Sequence, residues 1–191
     1  VLKHVDLGGG LGVTYDREKP PHPSEYLSIV KERLKDRALN LVLEPGRSIA
    51  ANAGIFVTQT ILTKTNQDQY FAVVDGAMND LIRPSLYGAW QNIIPVEKTH
   101  RPGQIEACFD VVGPVCESGD FLGKGRLLKL KEGDLLAVRS AGAYGFVMGS
   151  NYNTRGRAAE ILVDKSKTHV IRERESLESL WALEKLIDES S

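Results

Sequence analysis

An apolar run ends abruptly at a carboxylate in the segment Leu41-Val42-Leu43-Glu44-Pro45-Gly46-Arg47-Ser48. The first three residues have β-strand character, and Pro45 and Gly46 then turn the backbone. In parallel sheets, ligands bind at the carboxyl ends of the strands. Glu44 and Arg47 therefore stand where a ligand would bind, although a plain strand-to-helix turn with a solvated ion pair would give the same pattern.

The residues before this segment predict a strand, a helix and a second strand. Residues 3–7 form a short apolar strand. Ser24 is a suitable N-cap for a helix that runs to about Asp36, because apolar residues recur at helical spacing at Tyr26, Ile29, Val30 and Leu34. The strand that ends at Glu44 follows at once. This order is typical of a βαβ unit with parallel strands.

Three consecutive glycines, Gly8, Gly9 and Gly10, follow the first predicted strand. Glycines after a strand let backbone N–H groups approach a phosphate closely. Their spacing matches neither the dinucleotide-binding fingerprint nor a P-loop. The run by itself is compatible with a phosphate-binding turn and equally with a flexible turn.

The pattern changes after residue 53, where short strands follow one another without helices between them. They are predicted at residues 55–63, 69–74, 107–112, 127–130 and 134–140, with a hairpin at 160–163 and 169–172. Such a series indicates an antiparallel all-β domain. Leucines and Trp181 at three-to-four spacing predict an amphipathic C-terminal helix. We predict three segments: α/β at 1–53, all-β at 54–174 and a helix packed back on the α/β part at 175–191.

Composition and charge exclude several classes of protein. The 191 residues carry a net charge of -1, which gives no electrostatic footprint for nucleic acid or an anionic membrane. No apolar run approaches the length that spans a bilayer. Cys108 and Cys116 lack metal-type spacing, as do the histidines at 4, 22, 100 and 169, so we predict no metal site and a reducing, cytoplasmic-type compartment.

The sequence begins with Val1 rather than Met. Its α/β segment also has too few strands to bury both faces of a parallel sheet. We therefore expect the chain to be the C-terminal part of a longer protein.

Three further segments concentrate polar groups in short turns. They are residues 75–87, the run 115–120 with a thiol beside a carboxylate, and residues 142–146 with Tyr144 between small residues. Each has an ordinary structural explanation. A cysteine after valines is often a small buried hydrophobe, and Arg83 could form a surface ion pair of little energetic value.

Taken together and in order, five motifs resemble the diaminopimelate decarboxylases, pyridoxal-phosphate enzymes that make lysine from meso-diaminopimelate. The motifs are Gly8-Gly9-Gly10, Glu44-Pro45-Gly46-Arg47, Met78-Asn79-Asp80 with Arg83-Pro84 and Tyr87, Cys116-Glu117-Ser118-Gly119-Asp120, and Gly142-Ala143-Tyr144-Gly145. The resemblance covers nearly the whole chain but only the C-terminal part of such an enzyme. It implies a cytoplasmic enzyme, or a plastid one in a plant.

The resemblance implies a particular architecture. An alanine-racemase-like (β/α)8 barrel would carry the cofactor, and residues 1–53 would be its C-terminal portion. An antiparallel, Greek-key-type β-domain would follow it. Two subunits would form a homodimer whose active sites lie at the subunit interface.

The resemblance also implies roles at the cofactor. Gly8, Gly9 and Gly10 would bind its phosphate, with Gly46 in the adjoining turn. Glu44 would face the pyridine nitrogen and keep the ring protonated, which makes it a better electron sink. Arg47 would contact phosphate or the substrate carboxylate, since its bidentate fork suits either anion.

Further residues are implied at the substrate. Arg83 and Tyr87 resemble the residues that hold its distal end, and Tyr144 resembles a tyrosine that touches both cofactor and substrate. Cys116 resembles the acid that protonates the carbon left by carbon dioxide. Glu117 resembles the neighbour that binds the substrate amine. In the family, the thiol and this carboxylate come from the partner subunit.

One element of the family pattern is missing. The lysine that holds the cofactor covalently lies on an early barrel strand, upstream of this sequence. Neither Lys3 nor Lys64 matches it, so we expect the chain to be inactive by itself.

Alternative interpretations come from the same fold and from a different class. A related decarboxylase of ornithine, arginine or carboxynorspermidine is the nearest, but Arg83 favours a substrate with a distal carboxylate. Alanine racemases pair the pyridine nitrogen with an arginine, unlike Glu44. A non-catalytic decarboxylase-like binding protein would have no need to keep Cys116, Glu44 and Tyr144. A fragment without activity is compatible with all of these residues.

Overall fold

The computed structural model describes residues 2–99 and 101–187, so Val1, His100 and the last four residues of the predicted C-terminal segment lie outside it. The α/β part consists of β1 (His4–Asp6), α1 (Pro23–Leu34), β2 (Asn40–Val42) and α2 (Gly46–Ala50), with a 3-10 turn over Ala51–Ala53. Strands β1 and β2 pair in parallel. The predicted βαβ unit is confirmed.

Helix α1 begins earlier than the sequence predicts, because His22 and not Ser24 is its N-cap. The imidazole Nδ1 of His22 accepts from the backbone N–H of Ser24 at 3.3 Å, and the Glu25 carboxylate accepts from the His22 N–H at 3.1 Å. This reciprocal capping satisfies two helix-terminal donors, and Pro23 suits the first helical position.

The β-domain is one six-stranded sheet in the order β5-β8-β3-β4-β6-β7. Its strands are β3 (Phe56–Asn66), β4 (Gln69–Val74), β5 (Ile93–Pro95), β6 (Ile105–Val112), β7 (Phe121–Leu130) and β8 (Leu135–Val138). The expectation of a purely antiparallel sheet is wrong, because β4 and β6 pair in parallel. The long connection between them, which contains β5, returns the chain to start β6 in the same direction as β4.

The sheet curls until its two edge strands, β5 and β7, contact each other and nearly close it. Buried residues alternate along β4 and β6, as the period of a β-strand requires, whereas β8 is buried over three consecutive residues. The core contains Ala72, Val74, Leu81, Ile93, Phe109, Val111, Leu122, Leu128, Leu130, Leu136 and Val138. Leu81 is only 1% exposed although it lies in the loop after β4. Its burial anchors residues 75–87 to the end of the sheet.

The predicted hairpin is confirmed as β9 (Glu160–Asp164) and β10 (Lys167–Arg172). The C-terminal helix α4 (Leu177–Trp181) is shorter than the sequence predicts, and Leu183 is 96% exposed. A single helical turn gains little stability without packing on an apolar face. The predicted docking of this segment on a barrel stays a prediction. No helix among the described residues is long and apolar enough to cross a membrane.

The α/β part meets the sheet at two glycines. The Ala141 N–H donates to the Gly54 carbonyl at 2.9 Å, and the Gly142 N–H donates to the Ala51 carbonyl at 3.0 Å. A Cβ on Gly142 would overlap the carbonyl oxygen of Ala50 at the end of α2. This contact fixes the 142–145 motif beside the helix that begins at Gly46.

We expect Gly142→Ala to lower the free energy of unfolding by about 1–3 kcal/mol, because the backbone must move to admit the methyl group. Urea denaturation of the full-length protein that contains this chain measures the effect. Gly12→Ala is the matched control, since its Cβ would make only an ordinary contact of 3.5 Å with Pro20. Equal stability of the two variants would contradict the close approach.

Asp80 is a buried carboxylate in the loop after β4. It accepts from the Ala77 N–H at 3.0 Å and lies 3.8 Å from the guanidinium of Arg155. Burial raises the pKa of Asp80 from its ordinary value of 3.8, although the Ala77 N–H and the charge of Arg155 act to lower it. The ionised form of Asp80 therefore destabilises the folded state relative to the protonated form.

The stability that protonated Asp80 contributes is complete below pH 3.8 and is lost as the pH rises through the raised folded-state pKa. We expect the free energy of unfolding of the wild type, relative to Asp80→Asn, to fall as the pH rises from below 3.8 to neutrality. Denaturation curves at a series of pH values measure this difference. A difference that does not vary with pH would show that the burial of Asp80 is compensated.

Candidate functional site

The glycine turn lies directly against the end of β2. Gly8 and Gly10 have φ of +66° and +90°, which only glycine adopts without strain. The Glu44 N–H donates to the Gly8 carbonyl at 2.8 Å. A Cβ on Gly9 would lie 2.6 Å from the Glu44 carbonyl oxygen, so no other residue fits there. The structure thus brings the predicted phosphate turn and the predicted ring-binding carboxylate to one edge.

Glu44 follows the end of β2 and is exposed, and its carboxylate makes no hydrogen bond or ion pair within the described part of the chain. The Gly46 N–H donates to the Glu44 carbonyl at 2.8 Å, and a Cβ on Gly46 would meet open space. Arg47 follows in the first turn of α2. An accessible carboxylate and a guanidinium are therefore only three residues apart at the strand end that contacts the glycine turn.

Tyr144 connects this edge to the β-domain. The guanidinium carbon of Arg47 lies 5.5 Å from the centroid of its ring, and that of Arg83 lies 5.7 Å from the same centroid. Cations at such distances are attracted to the face of an aromatic ring. Tyr144 itself has φ of +59°, an uncommon conformation for a residue other than glycine and one that clusters at functional sites. Three of the predicted site residues thus form one row.

Arg83 continues the row into helix α3 (Arg83–Tyr87), where it is only 9% exposed. Its Nη1 donates to the phenol oxygen of Tyr15 at 2.8 Å, and its guanidinium carbon lies 5.0 Å from the centroid of the Tyr15 ring. Tyr15 was not among the predicted site residues. Its only signal is an aromatic hydroxyl five residues after the glycine run.

Tyr87 stands at the other end of α3, and it is 64% exposed. The helix ends at Gly88, whose φ of +59° gives a left-handed C-cap. The structure places the two predicted residues for the distal end of the substrate on one short helix. Arg83 belongs to the row with Arg47 and Tyr144, whereas no hydrogen bond or cation–π contact within residues 2–99 and 101–187 joins Tyr87 to it.

The loop that contains Cys116 is held by Asp120. Its buried carboxylate accepts from the Met78 N–H and from the Val115 N–H, both at 2.7 Å. The Ser85 hydroxyl donates to the Gly119 carbonyl at 2.5 Å. The loop is thus fixed against α3 and the segment before it. Asp120 belongs to the motif that begins at Cys116, but the sequence does not show that its carboxylate holds the loop in place.

Cys116 and Glu117 are both exposed, and the thiol is free. The Tyr152 hydroxyl donates to the Glu117 carboxylate at 3.4 Å. Among residues 2–99 and 101–187, no hydrogen bond or ion pair joins either side chain to Glu44 or Arg47. The structure therefore does not bring the predicted proton donor and the predicted cofactor edge into contact in one copy of the chain.

The polar and charged groups at the glycine edge fit pyridoxal phosphate. Apart from the adjoining residues, no atom of the described chain lies within 4 Å of where a Cβ on Gly8, Gly10 or Gly46 would stand, so an anion can approach this backbone. The carboxylate of Glu44 suits a protonated ring nitrogen, and Arg47 suits an anion. The two lysines that do not match the cofactor-binding lysine of the family, Lys3 and Lys64, lie away from the glycine edge. Lys3 precedes β1 at the opposite end of that strand, and Lys64 lies on β3, 5.7 Å from the ring centroid of Phe71.

Comparison with known proteins agrees with this fit. The family model for the C-terminal sheet domain of pyridoxal-dependent decarboxylases matches residues 13–142. A protein of Vibrio cholerae named diaminopimelate decarboxylase is 59% identical over 190 residues, which are 98% of this chain and 45% of that protein. The chain thus spans less than half the length of this curated relative.

Solved structures show the same similarity. Diaminopimelate decarboxylase from Helicobacter pylori, complexed with L-lysine, is 40% identical with a TM-score of 0.87, over 96% of this chain and 45% of that one. A lysine/ornithine decarboxylase from Vibrio vulnificus, complexed with cadaverine, is 25% identical with a TM-score of 0.71, over 82% and 42%. The chain belongs to the pyridoxal-dependent decarboxylases and contains their C-terminal sheet domain.

Proposed function

We propose that the chain is the C-terminal part of a diaminopimelate decarboxylase, which removes carbon dioxide from meso-diaminopimelate and leaves L-lysine. The observation that carries this proposal is the row formed by Arg47, Tyr144 and Arg83. It leads from the cofactor edge to a second cation, which suits a substrate with a carboxylate at each end. The names of the similar proteins support the same activity.

Pyridoxal phosphate, when bound, supplies an electron sink for the pair of electrons that departing carbon dioxide leaves behind. The backbone N–H groups of Gly9 and Gly10 would bind its phosphate, while the Gly8 N–H donates to the Asp6 carboxylate at 2.7 Å and shapes the turn. Glu44 would accept a hydrogen bond from the ring nitrogen and keep that nitrogen protonated. Arg47 adds a positive charge and a bidentate fork for the phosphate or the reacting carboxylate.

Arg83 holds the distal carboxylate of the substrate, and Tyr87 and Tyr144 line the path to it. A guanidinium at this place would repel the distal ammonium of a diamine-forming substrate, because like charges in a partly buried site raise the free energy of binding. This selects diaminopimelate over ornithine, arginine or carboxynorspermidine. The alternative function is decarboxylation of ornithine, arginine or carboxynorspermidine.

Cys116 would donate its thiol proton to the carbon from which carbon dioxide has left. Glu117 accepts a hydrogen bond from a substrate ammonium. Because neither side chain contacts the cofactor edge of its own chain in the described part, we assign them to the site of a second copy. Two copies would then form a homodimer with shared sites.

The direct test is to incubate the full-length protein that contains this chain with pyridoxal phosphate and meso-diaminopimelate. We expect L-lysine and carbon dioxide in equal amounts, and cofactor that borohydride traps on a lysine outside this chain. Decarboxylation of ornithine without lysine formation would identify the alternative decarboxylase. Absence of trapped cofactor would identify a non-catalytic homologue.

We expect Cys116→Ala to bind the cofactor normally but to lose turnover by about 10²–10⁴-fold, because it removes a general acid. Steady-state kinetics and cofactor absorbance measure the two properties. Cys108→Ala is the matched control, since Cys108 is the other free exposed cysteine and lies on β6. Unchanged turnover in Cys116→Ala would remove this thiol from the mechanism.

We expect Glu44→Gln to lower turnover by about 10²–10³-fold, because a neutral amide does not hold the proton on the ring nitrogen. Mixing inactive Glu44→Gln with inactive Cys116→Ala should restore part of the activity, since mixed dimers contain one site with both wild-type residues. Cys116→Ala mixed with itself is the control. No recovery in dimers shown by mass to have exchanged subunits would contradict shared sites.

A further inference from the structure

We propose that Tyr15 is a positioning residue that orients Arg83 toward the distal carboxylate of the substrate. This inference rests on the proposed function, because it concerns the same binding site. Tyr15 and Arg83 are 68 residues apart in the sequence and contact each other through side chains alone. Tyr15 would act on the substrate only through the arginine.

Tyr15 determines where the guanidinium of Arg83 points. Nη1 of Arg83 donates to the Tyr15 phenol oxygen at 2.8 Å, and the arginine lies between the rings of Tyr15 and Tyr144, at 5.0 and 5.7 Å. In the part of the chain that the structure describes, the phenol oxygen is the only hydrogen-bond acceptor of this guanidinium. With one nitrogen held, the planar fork presents its other donors in a defined direction.

Tyr15 is held in turn by the loop that contains it. We call residues 13–18 the docking loop. The Glu18 carboxylate accepts from the Tyr15 N–H at 3.0 Å and from the Asp16 N–H at 2.7 Å, and the Thr14 hydroxyl donates to the Glu18 carbonyl at 2.9 Å. These backbone hydrogen bonds lower the pKa of Glu18 and favour the ionised acceptor. The turn is therefore well defined before any ligand binds.

The docking loop also approaches a second arginine of the β-domain. Arg126 is 5% exposed, and its guanidinium carbon lies 3.2 Å from the centroid of the Trp90 ring. Burial lowers the pKa of Arg126, and the negative charge of Asp16 acts in the opposite direction. Within residues 2–99 and 101–187, Nε and Nη1 of Arg126 have no hydrogen-bond partner. The direct contact of the loop with the β-domain is therefore the hydrogen bond between Tyr15 and Arg83.

The docking loop begins three residues after Gly10, the last glycine of the phosphate turn. A short, hydrogen-bonded connection therefore joins the groups that would bind the cofactor phosphate to the arginine that would bind the far end of the substrate. This fixes the distance between the two anion sites. A substrate with its second carboxylate at the matching distance binds without first ordering the arginine.

The test is Tyr15→Phe in the full-length protein, which removes the hydroxyl and keeps the ring. We expect KM for meso-diaminopimelate and the inhibition constant of L-lysine to rise together by about three- to tenfold, because both ligands have the carboxylate that Arg83 holds. The value of kcat should stay within about twofold, and the affinity for pyridoxal phosphate should not change. Tyr70→Phe is the matched control, since Tyr70 lies on β4 and packs edge-to-face against Phe109 of β6, and it should leave all four quantities unchanged.

Tyr15→Leu removes the ring as well and should raise KM further. An unchanged KM in Tyr15→Phe would overturn the inference. A loss of cofactor affinity by the same factor would also overturn it, because that result would mean a structural role for the glycine turn. Failure of the wild type to form lysine would overturn the proposed function separately, and calorimetric binding of L-lysine to the wild type and Tyr15→Phe would then decide the role of Tyr15. Equal lysine affinity, or no lysine binding by either protein, would count against it.

Discussion

The backbone of Gly9 lies so close to the carbonyl oxygen of Glu44 that a side chain at this position would collide with it. The rest of the site depends on this contact, because it places the ends of β1 and β2 side by side. The glycine turn then lies beside Glu44, and Arg47 follows in the next helix. The residues that we propose for the phosphate and for the ring therefore belong to one βαβ unit.

In the row of Arg47, Tyr144 and Arg83, the last two residues belong to the β-domain. The core of that domain determines their position. Leu81 is buried in the core although it belongs to a loop. Arg155 holds the same loop from the other side, donating to the Asn79 side chain at 2.9 Å and to the Asp75 carbonyl at 2.6 Å. Helix α3 begins directly after this anchored loop. The position of Arg83 beside Tyr144 therefore depends on packing contacts that lie outside the proposed site.

Much of the architecture is predictable from the sequence, because it follows from local patterns. β-Branched and aromatic residues between turn signals identify β4 at its observed bounds, and they identify β3, β6, β7 and β8 with shifted ends. Strand β5 escapes prediction since three residues ending in Pro95 show no alternation. The helix start at His22 is also missed, because imidazole is an uncommon N-cap and only the geometry reveals its bond to Ser24.

The sequence by itself determined the βαβ unit, most strands of the β-domain and the identity of the motif residues Gly8–Gly10, Glu44, Arg47, Arg83, Cys116 and Tyr144. These depend on residue type and on spacing along the chain. The tertiary structure alone decided that β4 and β6 run parallel, that Asp120 holds the Cys116 loop, that Cys116 stays apart from Glu44 within one copy, and that Tyr15 contacts Arg83. Each of these depends on residues that are distant in sequence, and only the burial of a shared core brings such residues within reach of one another.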